Sequence, residues 1–273
     1  MTGPLVAAHR GGARLWPENS LLAFRRAIEL GVPLLELDVH QARDGGIVVI
    51  HDRTLDRTTT GSGPITDRTT DELRALRLKD TTARVTAERL PALDDVLAVA
   101  EPSAASLLLE VKGPGRSVSW ERVGGRVRGI GGPRYDGLEA RLLDRLARTG
   151  MAGRTTVMAF NPEVLREVRR LAPSIRTTAL FDAGHFRGPG ASAPEMLDVA
   201  CELGVTDIGL EHVLADDAVV RAARARGLAI GVWTVNDVAE MRRCAGMGVD
   251  IITTDRPDVA LQVLGDRIPR ATS

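Results

Sequence analysis

The chain has 273 residues, 44% of them hydrophobic, and a formal net charge of zero. This is enough apolar material for one large core, and α/β barrels reach this length as a single domain; the lack of a positive surplus argues against general nucleic-acid binding. No stretch reaches the roughly 20 apolar residues that span a bilayer, and the opening MTGPLVAAHRGG has no basic region leading into a long apolar one, so a cytoplasmic protein without membrane insertion is expected.

In chain order, residues 5–8 form a short apolar run ending at His9. Residues 18–30 have helical periodicity, with Asn19 or Ser20 as cap, Pro17 before and Gly31 after. A strand over 34–39 leads to Asp44-Gly45, a pair suited to a tight reversal, so 47–50 should return antiparallel and bring His51 towards Glu36 and Asp38. From 52 to about 90 the sequence turns to Thr, Asp, Arg and Gly with one short helix near 71–78, an excursion inserted between strand and helix. Alternation then resumes, with strands over 106–112, 155–160, 175–181, 207–210, 229–234 and 251–253. Helices are expected at 93–100, 138–148, 163–171, 194–203, 216–226, 237–245 and 258–264. Eight strand-helix pairs predict a closed (β/α)8 TIM barrel spanning 1–273 as one domain, with a small insertion at 52–90 after the second strand and a frayed tail over 268–273. Glycine-rich 113–137, with Arg116, Arg122, Arg126, Arg128 and Arg134, leaves from the same rim as Lys112; an ordinary surface loop is favoured over a mobile basic flap. Cys201 and Cys244 have no close Cys or His spacing and read as small buried thiols.

Active sites of such barrels gather at the C-terminal ends of strands. His9 and Arg10 end the first, Glu36 and Asp38 the second, Glu110 and Lys112 the third, and Trp233 the seventh. Side chains two apart on a strand share a face, so Glu36 and Asp38 can share a cation. With Glu110 the set is all oxygen, which suits a hard divalent cation, Mg2+ or Ca2+, better than zinc. His9 and His51 can take and give protons near neutral pH. Arg10 offers a planar fork to two phosphate oxygens. Lys112, one of only two lysines with Lys79, shares the face of Glu110 and can neutralise charge that builds in a transition state. The combination points to metal-assisted chemistry on a phosphate. Glu18 and Asn19 are taken as helix-start residues, Asp250, Asp255, Glu211 and His185 as structural or supporting residues near the rim, and His40 as less suitable than His51 for proton transfer.

The pieces AAHRGG (7–12), PENS (17–20), ELDVH (36–40), RDGGIVVIHD (43–52), DRTTTGSG (56–63), LPALDDVL (90–97), LLLEVKG (107–113), GVWTVN (231–236) and DIITTDRP (250–257) resemble, in order and over nearly the whole chain, the glycerophosphodiester phosphodiesterase family, whose signature runs HR, E-x-D, HD. The resemblance implies metal-dependent cleavage of glycerophosphodiesters to sn-glycerol 3-phosphate and an alcohol. It implies metal binding by Glu36, Asp38 and Glu110, and acid-base catalysis by His9 and His51. It also puts Trp233 at the mouth of the pocket against the substrate's carbon chain. The attacking hydroxyl is either water or the substrate's own glycerol 2-hydroxyl. A related phosphodiesterase acting on lysophospholipids is the nearest alternative, against which the short, polar excursion speaks. A non-catalytic glycerophosphoryl-binding barrel comes next, and the complete set of histidines and carboxylates argues against it. Ala42 stands where the family often has Thr, a change confined to local hydrogen bonding.

Overall fold

The computed structural model describes residues 3–115 and 119–265. Eight parallel strands, Leu5–Ala8, Leu34–Gln41, Ser106–Val111, Thr155–Ala159, Arg176–Phe181, Asp207–Glu211, Ala229–Trp233 and Ile251–Thr254, pair in sequence order. The first closes the ring by pairing with both the second and the eighth. The second strand is buried on both faces, as parallel strands covered by helices must be. Its Leu35, Leu37 and Val39 face outward into the main core, where they meet residues such as Phe24, Val96 and Leu97 of the surrounding helices. Ala7, Leu34, Leu108, Met158 and Leu180 fill the barrel interior, with Phe160, Trp233 and Ile251 packed against them.

The outer helices start and stop where local chemistry dictates. In Pro162–Leu171, Asn161 caps the N-terminus by accepting from the Glu163 N–H, Pro162 opens the first turn, and Val164, Leu165 and Val168 bury one face. The helix expected at 18–30 runs over Leu21–Glu29, with the Ser20 hydroxyl accepting from the Ala23 N–H. Ser20 is therefore the cap, and Glu18 and Asn19 are free for other work.

The Asp44-Gly45 reversal forms as expected. Gly45 takes a positive φ of 83°, and Ile47–Val49 pairs antiparallel with the end of the second strand, Val39 opposite Val49 and Gln41 opposite Ile47. The excursion holds more regular structure than its composition suggests. Its helix ends at Arg74 rather than 78, and Arg77–Lys79 pairs with Val85–Arg89. Leu55, Ile65, Leu73, Leu78 and Leu90 give it a small core of its own against Ala42, Val48 and Ile50. Ala42 thus packs as an apolar residue.

The segment 113–137 is likewise no plain loop. Ser119–Val123 and Arg126–Ile130 form a hairpin around Gly124 and Gly125, both at positive φ, and Trp120 packs on Phe181 with ring centroids 5.4 Å apart. Arg122 pairs with Glu195 at 2.6 Å and Arg134 with Glu139 at 3.3 Å, so neither faces the site; Arg116 lies outside the described residues. Two smaller expectations need correction. Cys244 is buried but Cys201 is exposed, on the solvent side of its helix. Asp250 precedes the eighth strand, so it sits at the opposite end of the barrel, where it accepts from the Ile230 N–H. Among the described residues no helix is long and apolar enough to cross a membrane.

Candidate active site

The register of neighbouring strands assembles the acids. Asp38 lies level with Glu110 across the second and third strands, and Glu36 is two residues earlier on the same face. Carboxylate oxygens of Glu36, Asp38 and Glu110 all lie within 4.8 Å of one another, and all three residues are buried. This all-oxygen donor set, free of sulfur and nitrogen, fits a hard divalent cation. Lys112 Nζ stands 3.0 Å from Asp38 Oδ1 and 2.5 Å from Glu110 Oε1. Burial opposes charge on Asp38, yet Lys112, His51 and Arg10 hold it far below the usual carboxylate range. Burial likewise disfavours charge on Lys112, but Asp38 and Glu110 raise its pKa. Glu36 has no lysine or arginine cation so near, only His9 Nε2 at 4.0 Å; burial and the nearby Asp38 push it up to about 7.

The turn His9–Gly11 delivers the first strand's contribution. Arg10 is left-handed, with φ 51° and ψ 33°, a conformation that costs a non-glycine residue about 1–3 kcal/mol. It turns the Arg10 N–H onto Glu36 Oε2 at 2.7 Å, while the guanidinium reaches Glu18 at 2.9 Å and Asp38 at 3.5 Å. Gly11 permits the turn: at φ +81° a Cβ there would stand 2.7 Å from the Ala23 Cβ. Asn19, also left-handed at φ 56°, donates from Nδ2 to Asp38 Oδ2 at 2.9 Å. Asn19 and Glu18 are thus site residues rather than helix-start residues.

Each candidate proton-transfer imidazole is tied to a carboxylate. Ala8 is level with Thr254 across the barrel closure, so the next residues meet: His9 Nδ1 donates to Asp255 Oδ1 at 2.6 Å. Asn236 donates to the other oxygen of Asp255 at 2.7 Å. His51 Nδ1 donates to Asp52 Oδ1 at 2.7 Å. In both cases Nε2 is the ring nitrogen left for chemistry, the arrangement by which a carboxylate fixes tautomer and orientation. Burial lowers the pKa of both rings, but Glu36 and Asp255 outweigh it at His9, which is raised, whereas His51 remains lowered. His40 takes a different part. Its Nε2–H donates to the carbonyl of His51 at 3.1 Å and its Nδ1 accepts from the Tyr135 hydroxyl at 2.7 Å, and burial pulls its pKa down to about 4.

A model of the glycerophosphoryl diester phosphodiesterase family matches residues 9–259. The chain belongs to that family. Among its relatives is the glycerophosphodiester phosphodiesterase of Caldanaerobacter subterraneus, 29% identical over 95% of this chain and 97% of its own. A glycerophosphodiester phosphodiesterase structure from Parabacteroides distasonis is 26% identical and superposes with a TM-score of 0.75 over 97% of this chain and 98% of that one. A phosphodiesterase of Oleispira antarctica, in complex with the product sn-glycerol-3-phosphate, shares the fold at a TM-score of 0.77 and 23% identity, over 96% and 97% of the two chains.

In this member of the phosphodiesterase family two cavities meet at His51, Glu110, Lys112 and Phe160. One, of about 180 Å3, descends into the barrel past His9, Arg10 and Glu36 between Leu108, Met158, Leu180 and Trp233. It exists because Gly209 and Gly231 place no side chain in the interior; a Cβ on Gly209 would stand 2.5 Å from Leu180. Trp233 is thus inside the barrel rather than only at its mouth, edge-on to Phe160 with centroids 5.6 Å apart. The other, of about 610 Å3, opens outward between Asp52, Arg53, Asn161, Asp182 and His185. His185 stacks on Phe160, and Glu211 accepts from the Ala183 N–H, supporting parts as expected.

Proposed function

We propose that the chain hydrolyses glycerophosphodiesters to sn-glycerol 3-phosphate and an alcohol, with Mg2+ or Ca2+ held by Glu36, Asp38 and Glu110. The observation that carries this reading is the pair of carboxylate-bound imidazoles, His9 and His51, lining one cavity with Glu36 and Glu110, whose carboxylates cluster with that of Asp38. Arg10 and Lys112 receive the phosphodiester anion, Arg10 by its planar fork and Lys112 as a point charge. One imidazole takes the proton of the attacking hydroxyl through Nε2 as that oxygen forms a new bond to phosphorus. The bond from phosphorus to the departing alcohol oxygen breaks, and the other imidazole protonates that oxygen. Asp255 and Asp52 stabilise whichever ring is cationic and keep Nδ1 protonated throughout. The cation, when bound, supplies Lewis-acid polarisation of the phosphoryl oxygen. Trp233 and Phe160 line the interior cavity where the glycerol carbons would lie, and the product named in the Oleispira complex supports glycerol 3-phosphate as what is released.

The test is release of glycerol 3-phosphate from a panel of glycerophosphodiesters, before and after chelation and on return of single cations. Activity should vanish with chelator and return with Mg2+ or Ca2+. His9→Ala and His51→Ala should each lose roughly 10²–10⁴ in kcat while remaining folded. Full activity after exhaustive chelation would remove the metal, and near-normal turnover in either variant would remove the two-histidine scheme.

A further inference from the structure

Arg57 belongs to the excursion after the second strand and lines neither cavity, yet its guanidinium joins two parts of the site. One edge grips Asp52, with Nε to Oδ2 at 2.7 Å and Nη2 to Oδ1 at 2.9 Å. The other grips Glu18, with Nη1 to Oε2 at 2.7 Å and Nη2 to Oε1 at 2.8 Å. Asp52 Oδ1 is the oxygen that receives His51 Nδ1–H, and Glu18 Oε1 is the oxygen that receives Arg10 Nη1–H. The chain of contacts therefore runs from His51 through Asp52, Arg57 and Glu18 to Arg10, and from there to Asp38 and Glu36.

We propose that Arg57 is a positioning residue for the hydrolysis: through one planar guanidinium it sets both the imidazole of His51 and the phosphate-binding fork of Arg10. The proposal rests on the function proposed above. Three features support it. Glu18 and Asp52 both accept from Nη2, so two carboxylates approach one nitrogen and would repel each other without the cation between them. Two bidentate grips fix the plane of the guanidinium, which a lysine ammonium cannot reproduce. The backbone that carries Arg57 is itself held: the Thr59 N–H bonds the carbonyl of fully buried Leu55, and Lys79 N–H bonds the carbonyl of Thr58. The excursion thus has a task at the catalytic rim that its polar sequence does not advertise. Arg57 is 48% exposed while its partner Glu18 is 16% exposed, so solvent screens the two ion pairs only in part.

The test is steady-state kinetics of glycerol 3-phosphate release for Arg57→Met and Arg57→Lys, alone and combined with Asp52→Ala or Glu18→Ala. Groups that orient residues in contact with substrate are worth roughly 10–100-fold in activity. R57M should lose that much in kcat/KM while remaining folded, kcat falling through His51 and KM rising through Arg10. On D52A the kcat effect of R57M should disappear, and on E18A its KM effect should disappear. R57K, which keeps the charge but not the double fork, should recover only part of the loss, and it serves as the test should R57M fail to fold. An R57M enzyme within twofold of the parent in both constants would overturn the proposal. So would effects that simply multiply with those of D52A and E18A, or full rescue by R57K. A parent enzyme that releases no glycerol 3-phosphate would instead overturn the functional reading itself.

Discussion

Lys112→Met probes the charge balance of the acid cluster. The ammonium stands 3.0 Å from Asp38 and 2.5 Å from Glu110, and Asp38 is only 1% exposed. Methionine keeps the apolar stem and removes the charge, leaving Asp38 and Glu110 facing each other with Glu36 close by. Removing one partner of a buried ion pair costs about 3–5 kcal/mol. At about 2–4 °C per kcal/mol for a domain of this size, the metal-free variant should melt about 10 °C below the parent at pH 8. A proton can replace the lost cation. The variant's acids should therefore have folded pKa values above their unfolded ones, and such groups destabilise the fold above the unfolded pKa and cease to do so as pH falls. The deficit should accordingly shrink between pH 8 and pH 5. Saturating divalent cation should raise the melting temperature of the variant more than that of the parent, because it neutralises the same acids. Calorimetric unfolding at both pH values, with and without cation, reads all of this. A pH 8 melting temperature within 2 °C of the parent, or a deficit equal at both pH values, would refute the electrostatic reasoning.

Asp255→Asn removes the charge that orients and stabilises His9 while preserving shape; kcat should fall roughly 10–100-fold with little change in melting temperature, and unchanged kcat would show that His9 needs no such partner. His40, with a folded pKa of about 4 against an ordinary 6.5, is neutral in the fold, so its contribution is intact above pH 6.5 and is lost as pH falls towards 4. The loss amounts to about 3 kcal/mol. Denaturant titrations from pH 7 to pH 4 should therefore show a flatter decline in His40→Gln than in the parent, and parallel declines would contradict the assignment.

Much of the barrel was legible because its signal is local. Alternating strand and helix patterns, the Asp44-Gly45 turn and the period-two spacing of Glu36 with Asp38 and of Glu110 with Lys112 are all short-range properties. They suffice to bring the acids onto one face, and the structure brings Glu36, Asp38, Glu110, Lys112, Arg10, His9 and His51 together as expected. What the sequence hid depends on closure or on backbone twist. Asp255 meets His9 across 246 positions only because the eighth strand pairs with the first. Asn19 reaches Asp38 because its φ is positive, a state that nothing in PENS announces, although Asn is among the few residues that adopt it readily. The ribbon in the excursion and the hairpin at 119–130 escaped because glycine and charged residues surround their few buried positions, Leu78 in the one and Trp120 and Val127 in the other. The pairing Gly124-Gly125 was the usable hairpin signal. Exposed Cys201 shows a residue preference overridden by its place on a helix face.

Whether the acids of the second and third strands serve one cation is answered most directly by calorimetric titration of the metal-stripped chain with Mg2+ and Ca2+, alongside Glu110→Gln. One cation per chain should bind the parent, and the variant should lose that binding together with glycerol 3-phosphate release. Absence of binding to the parent, or unaltered binding to the variant, would contradict the assignment of Glu36, Asp38 and Glu110 to a single metal centre.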